Sequence, residues 1–245
     1  MLKIAFRFPM HLSKPMKDFS KLEKKLKINL ANQDLLKQAF VHRSYINENP
    51  GFNLPHNERL EFLGDAVLEL VVTEYLYANY PNPEGELTNW RASLVNSQML
   101  SKLAKNLGLE EFLYLSRGET KDANSKARSY ILANAFEALV GAIHLDQGYA
   151  AAKMFISDVV LPELPHILTH QLYIDPKSKF QEIAQEKMGI TPTYRVMKES
   201  GPDHAKEFEV GVYLEEELVA AASGTSKQEA QVAAAAQALK KKNWD

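Results

Sequence analysis

The chain contains no cysteine. Disulfide frameworks, thiolate metal centres and cysteine nucleophiles are therefore excluded, and a reducing cytoplasm suits it. It also lacks any apolar run approaching the ~20 residues that a bilayer-spanning helix needs, so no membrane partner is expected. Excess positive charge is missing too: the formal net charge is −2 and the isoelectric point is near 6.4. Contact with nucleic acid must then come from local basic patches, because bulk attraction is absent. Met1 to Lys14 has no acid, no continuous apolar core and no small-residue cleavage site, which argues against a signal peptide. Residues 1–18 are expected to form an extension ahead of the folded chain.

What the chain does have is 45 % apolar residues over a length of 245, ample for one or two cores. Up to about Leu168 the apolar spacing is helical. A basic helix over Lys21 to Lys27 comes first. Asn32 stands as a cap before Gln33 to Phe40, and Asn57 as a cap before a long helix reaching Tyr80. Between these, Asn47 to Asn57 reads as turns. Pro81-Asn82-Pro83 stops the long helix. Further helices are expected over Leu87 to Leu107, from about Ser129 to Leu145, and from after Gly148 to about Leu161. Beyond His170 the pattern changes. A helix over Lys177 to Met188 precedes three alternating strands (Thr193 to Met197, Glu207 to Tyr213, Glu217 to Ala221) and an alanine-rich helix over Lys227 to Lys242. Ser226 and Glu229 are spaced as a capping box at its start. The expected fold is an all-α domain over 19–168, a linker over 169–174, and a small α+β domain of order α-β-β-β-α over 175–243.

The chemistry concentrates in Asn57-Glu58-Arg59-Leu60-Glu61-Phe62-Leu63-Gly64-Asp65. At about 100° per residue, Glu58, Glu61 and Asp65 fall within an arc of roughly 60° on one helix face. Three like charges among apolar neighbours repel each other and resist desolvation, a cost that a cation would relieve. A second intrusion lies in the apolar run Ile131 to Ile143, where Asn134 and Glu137 are i, i+3 on one face. Alone, Asn134 reads as a hydrogen-bonded core amide. Glu137 must find a partner or protonate. Two apolar helices each carrying acids on one face imply that the faces meet. Oxygen donors without His or Cys at ligand spacing point to Mg²⁺, with Mn²⁺ as a substitute, ahead of Zn²⁺. Such ions suit phosphodiester hydrolysis. Glu69 falls near the same arc but reads as solvated, and Glu74 and Glu84 to Glu86 read as surface or turn.

With these motifs the chain resembles ribonuclease III, the endonucleases that cut double-stranded RNA. The likeness is carried by Asn57 to Asp65, His42-Arg43-Ser44-Tyr45, Gly85-Glu86-Leu87-Thr88 with Arg91-Ala92, Arg117-Gly118-Glu119, and Ile131 to Gly141. It implies that Glu61, Asp65 and Glu137 are metal ligands, with Glu58 an acid implicated beside them. The family usually has Asp where this chain has Asn134, whose amide oxygen can ligate Mg²⁺ without adding charge. Asp65, Glu137 and Glu58 are thus the expected catalytic acids, and Glu61, Asp65, Asn134 and Glu137 the expected metal ligands. The likeness further implies a homodimer, one cluster cutting each strand, with Phe62 either inserted across the interface or packed in the core. Arg43, Arg91, Arg117 and Arg128 each read first as surface or ion-pair residues, with a direct phosphate contact as the other reading.

The α-β-β-β-α module resembles the double-stranded RNA-binding domain. Gln181 and Glu182 match the helix face that reaches a minor groove. Pro202 and His204, in Gly201-Pro202-Asp203-His204, match the loop that enters the next one. Ser226 and Lys227 open the last helix, facing phosphates across the major groove. Gln228 stands where the family usually has a second lysine. The implied partner is duplex RNA, and no nucleotide cofactor is expected. The implied activity is Mg²⁺-dependent hydrolysis of double-stranded RNA to 5′-phosphate and 3′-hydroxyl ends, on precursor ribosomal RNA and other structured transcripts. The alternative is a weak or inactive RNA-binding protein of the same fold.

Overall fold

Asn32 and Asn57, both expected as caps, do different work. The Asn32 carboxamide accepts from the amides of Asp34 and Leu35 and so caps a helix over Gln33–Ala39. Asn57 caps nothing. It is 3 % exposed, its side chain donates to the Ala39 carbonyl at 3.1 Å and its amide to Val41 at 2.9 Å. A buried carboxamide needs partners, and here they lie 16 to 18 residues back in the chain. The computed structural model describes residues 17–121, 125–202 and 206–244. The extension up to residue 16 lies outside them, as do Asp203 and His204.

The described residues divide into two compact units on either side of the His166–Ile167 bond. The first is helical: α1 Ser20–Leu26, α2 Gln33–Ala39, α3 Arg43–Glu48, α4 Glu58–Asn79, α5 Glu84–Val95, α6 Ser97–Asn106, α7 Arg117–Lys121 and α8 Lys126–Val159. The short α9, Leu164–Thr169, spans the division. α8 is the spine, with Leu139, Val140 and Ile143 fully buried, and it packs against α2, α4 and α6.

Two departures from the expected helices have local causes. The stretch expected as Leu87 to Leu107 is two helices, because Asn96 turns extended and its side chain caps Met99. The two helices expected around Gly148 are there: α8 breaks at Gly148, whose φ 82° and ψ −179° are not helical and are open to glycine at little cost. α3 was not expected. His42 starts it by accepting from the Ser44 amide, and a single bridge pairs Val41 with Tyr114.

The second unit runs α10 Pro176–Met188, β1 Thr193–Ser200, β2 Glu207–Leu214, β3 Glu217–Gly224 and α11 Lys227–Lys242. The strands form an antiparallel sheet in the order β1-β2-β3. Phe180, Val212, Val219, Ala234 and Leu239 join helices and sheet in one core. Ser226 caps α11 by accepting from the Glu229 amide. The Glu229 carboxylate reaches back to Thr225, so the expected reciprocal bond lands one residue early. No helix among the described residues is long and apolar enough to cross a membrane.

Candidate active site

α4 and α8 form the most extensively packed helix pair, and two glycines let them touch at backbone distance. A Cβ on Gly64 would overlap the Glu137 carbonyl and lie 2.8 Å from the Gly141 amide. A Cβ on Gly141 would overlap the Leu60 carbonyl and lie 3.2 Å from the Gly64 amide. The contact is reciprocal, so the crossing point is fixed within one helical turn of Glu61, Asp65 and Glu137. Both glycines stand in motifs quoted from the sequence, yet their role needs a partner helix to be seen.

At that crossing the two acidic faces meet. Burial raises the Glu137 carboxyl to about 8, helped by the charges of Asp65 and Glu61. Burial also raises Glu61, followed by the neighbouring Glu58 charge, while a hydrogen bond from Asn134 opposes the shift and Asp65 adds to it. Glu58, Glu61, Asp65, Asn134 and Glu137 therefore belong to one electrostatic neighbourhood built from two helices. Glu61, Asn134 and Glu137 are half-buried, and Glu58 and Asp65 are exposed. Among the described residues no three His, Asp or Glu side chains are drawn closely enough together to hold a metal ion as they stand. The donor set fits a hard divalent ion: oxygen only, one carboxyl held neutral by its surroundings, and open to solvent through Asp65.

Cationic and imidazole groups border the acids on the Glu58 side, among them Arg43, for which the sequence left a phosphate contact open. Arg43 Nη1 lies 3.4 Å from Glu58 Oε1, and His56 Nδ1 lies 3.7 Å from Glu58 Oε2. Burial pushes the His42 imidazole down, against the nearby charges of Glu119 and Glu58. Arg128 is 4 % exposed, donates to the Glu119 carbonyl and lies 3.6 Å from Glu110, so it is a structural ion-pair residue. Arg91 donates to Thr73 at 3.1 Å, and the Arg117 amide donates to Glu48 at 3.0 Å.

Glu69 is solvated as expected. Glu74 is not simple surface: Tyr149 donates to it at 2.6 Å and Lys153 at 2.9 Å, tying α4 to α8 just past the Gly148 kink. Phe62 does not pack in the core, being 82 % exposed. It lies on an outward stripe of α4 with Leu70 and Tyr77, the latter 83 % exposed. Beside Tyr77 a groove of about 530 Å³ opens between the end of α4 and α5, lined also by Leu76, Tyr80, Leu87 and Arg91.

In the second unit Gln181, Glu182, Pro202 and Lys227 are exposed and Ser226 is half-buried at the mouth of α11. Lys177 donates to Gln231 at 2.8 Å, so the first turns of α10 and α11 lie side by side. Lys227 sits 5.6 Å over the Phe208 ring, at the base of the loop between β1 and β2. Gly201, with φ 89°, bends that loop. Its His204 lies outside the described residues.

Comparison with known proteins covers both units. Residues 32–164 match the family model described as ribonuclease-III-like, and residues 176–242 match the double-stranded RNA binding motif. The chain is 44 % identical over 226 residues to Ribonuclease 3 of Nitratiruptor sp., covering 92 % of this chain and 97 % of that protein. It is 42 % identical over 223 residues to Ribonuclease 3 of Enterococcus faecalis, covering 90 % and 96 %. Among solved structures it is similar to the nuclease domain of ribonuclease III from Campylobacter jejuni, in which a region involved in dimer formation is flexible. That likeness has a TM-score of 0.55 and 38 % identity, over 60 % of this chain and 99 % of that one.

Proposed function

The chain belongs to the ribonuclease III family and is an endoribonuclease of double-stranded RNA; from that premise we propose that it cuts by divalent-metal hydrolysis where α4 crosses α8. The observation that carries this reading is Glu137. A carboxyl pushed up to about 8 by burial and two neighbouring acids, beside a backbone contact no side chain could enter, is a costly arrangement with no structural return. A cation would reverse that cost.

Glu61, Asp65, Glu137 and the Asn134 amide oxygen would hold Mg²⁺, or Mn²⁺ in its place, with Glu58 beside them. When bound, the metal supplies a hydroxide nucleophile at neutral pH and stabilises charge on the phosphate oxygens. The side chains have defined tasks. Glu137 would bind a cation as its carboxylate, its proton passing to solvent. Asn134 holds Glu61 in place without adding a further charge. The Gly64–Gly141 contact keeps both faces in register. Family likeness supports cleavage of the bond between phosphorus and the 3′ oxygen, leaving 5′-phosphate and 3′-hydroxyl ends. Substrates would be precursor ribosomal RNA, messenger RNA and other structured transcripts in the cytoplasm, read by shape through Gln181, Glu182, Pro202, His204, Ser226 and Lys227.

Cutting both strands in one encounter calls for two clusters, hence a homodimer. Phe62 and Tyr77 lie at equal distances from the Glu69–Leu70 bond, about 22 Å apart along α4. An antiparallel two-fold pairing of this helix would set Phe62 of each copy against the groove beside Tyr77 of the other. Two exposed aromatics and an open apolar groove on one helix support that pairing.

Duplex RNA incubated with the protein and Mg²⁺, then with excess EDTA, tests the function. Cutting that EDTA abolishes and that Glu137→Ala loses while retaining RNA is the expected result. Retention without cutting by the unaltered protein would support an inactive RNA-binding protein instead.

A further inference from the structure

Glu58 faces two groups from outside the acidic cluster, Arg43 Nη1 at 3.4 Å and His56 Nδ1 at 3.7 Å, while its charge still acts on Glu61. Arg43 is not there by drift. Its backbone opens α3, and the chain just before it is bolted on two sides. Asn57, next to Glu58, binds Ala39 and Val41, while the His42 amide donates to the Tyr114 carbonyl at 3.1 Å. The Ser44 hydroxyl accepts from the Ser116 amide at 3.2 Å, and His42 Nδ1 sits 2.8 Å from that hydroxyl. The aromatic trio Tyr45, Phe52 and Tyr114 locks the other flank, with ring centroids 5.2 to 5.6 Å apart. α3 has six residues and no buried side chain of its own, and it is anchored to the core through the buried Ala39, Val41 and Tyr114 that its flanks bind. It fixes one guanidinium at the rim of an acidic pocket.

The guanidinium itself is weakly held. Its side chain is 67 % exposed and its one ion-pair contact, at 3.4 Å, is longer than a good charge-assisted hydrogen bond. A pair of this kind contributes little to stability. The rim of a site that must receive a polyanion beside its own carboxylates needs such a group, placed rigidly and bound loosely. Resting on the reading that the α4–α8 cluster cuts duplex RNA, we infer that Arg43 is a substrate-positioning residue. It exchanges Glu58 for a backbone phosphate next to the one being cut. Arg suits this role through its planar paired donors, and Glu58 serves as its resting partner until RNA arrives. The exchange moves no proton and breaks no covalent bond.

The test uses the full-length protein carrying Arg43→Ala, Arg43→Lys or Arg43→Glu. Duplex binding is measured in Ca²⁺ across a salt series, and cleavage kinetics are measured in Mg²⁺. Removing one phosphate contact should flatten the slope of log affinity against log salt by about one unit. It should raise KM about tenfold with kcat much less affected. Arg43→Lys should recover most of the salt slope and Arg43→Glu should be worse than Arg43→Ala. Thermal midpoints and the Mg²⁺ concentration for half-maximal rate should stay within error of the unaltered protein. An unchanged salt slope, or a shifted Mg²⁺ requirement with binding intact, overturns the inference, because Arg43 would then act only on Glu58. Failure of the metal reading looks different: no Mg²⁺-dependent cutting by any form, with the Arg43 effect on binding still measurable.

Discussion

The two units use opposite designs to meet one polymer. The helical unit places its functional groups where they are least comfortable, half-buried acids against each other at a backbone contact between α4 and α8. The small unit places Gln181, Glu182, Pro202 and Lys227 on exposed turns of helices and loop, with ordinary caps and outside its core. The difference teaches where each function can fail. At the proposed metal site the buried charges are coupled to folding, so damage there should reach stability, cation binding and chemistry together. Surface recognition is spread over weak contacts, so damage there is graded and leaves the fold alone.

The largest effect should come from Gly64→Ala. The added Cβ meets the Glu137 carbonyl backbone, which cannot swing away, so the helix pair must separate. A loss of about 3 kcal/mol in urea unfolding of the helical unit is expected, together with loss of cleavage. Duplex retention through the small unit should persist. An equal stability loss for alanine at Gly51, where nothing lies nearby, would blunt the contrast.

Glu137→Gln comes next. Cleavage should fall by more than the roughly 100-fold that loss of a residue merely supporting a ligand costs, with RNA retention unchanged. The same group sets a pH dependence. Its folded pKa, near 8, lies above the unfolded value of 4.5, so the neutral acid stabilises the fold. That contribution is complete below about 4.5 and is lost as pH rises through about 8. Metal-free protein should therefore weaken across this window by about 2 kcal/mol, allowing for solvent screening of a half-buried group. Glu137→Gln should flatten the profile, as thermal melts in EDTA would record.

Smaller effects separate the units further. Asn134→Asp adds a charge to the proposed ligand set but places a like charge beside Glu61. It should lower the Mg²⁺ needed for half-maximal cleavage by about tenfold while lowering the metal-free melting midpoint. An unmoved Mg²⁺ titration would remove Asn134 from the ligand set. Lys227→Ala in the small unit should only flatten the salt slope of duplex binding by about one unit, equally for all sequences. Gln228→Lys should steepen it by the same amount.

Much of this contrast was legible in the chain, for physical reasons. Acids at i, i+3 and i+4 must share a helix face, and α4 and α8 form where that spacing requires. The small unit announced itself through period-two strands, and its sheet has the expected order. Phe62 was only half legible: the sequence left it between an interface and the core, and its 82 % exposure rules out the core. What stayed hidden depends on contacts between distant residues. Asn57 looks like a cap and is a buried bolt to Ala39 and Val41. α3 has no apolar period and exists through His42 and its ties to Tyr114 and Ser116. The Gly64–Gly141 contact is written in two motifs 77 residues apart, and neither glycine signals the other.

One measurement bears most directly on the acids of α4 and α8. Calorimetric titration of Mg²⁺ into RNA-free protein near pH 7, in two buffers of different ionisation enthalpy, counts ions and protons together. The expected result is saturable binding with release of a proton, both lost in Glu137→Gln. Identical heats for the two proteins, or binding that releases no proton, would contradict a cation pocket built around Glu137.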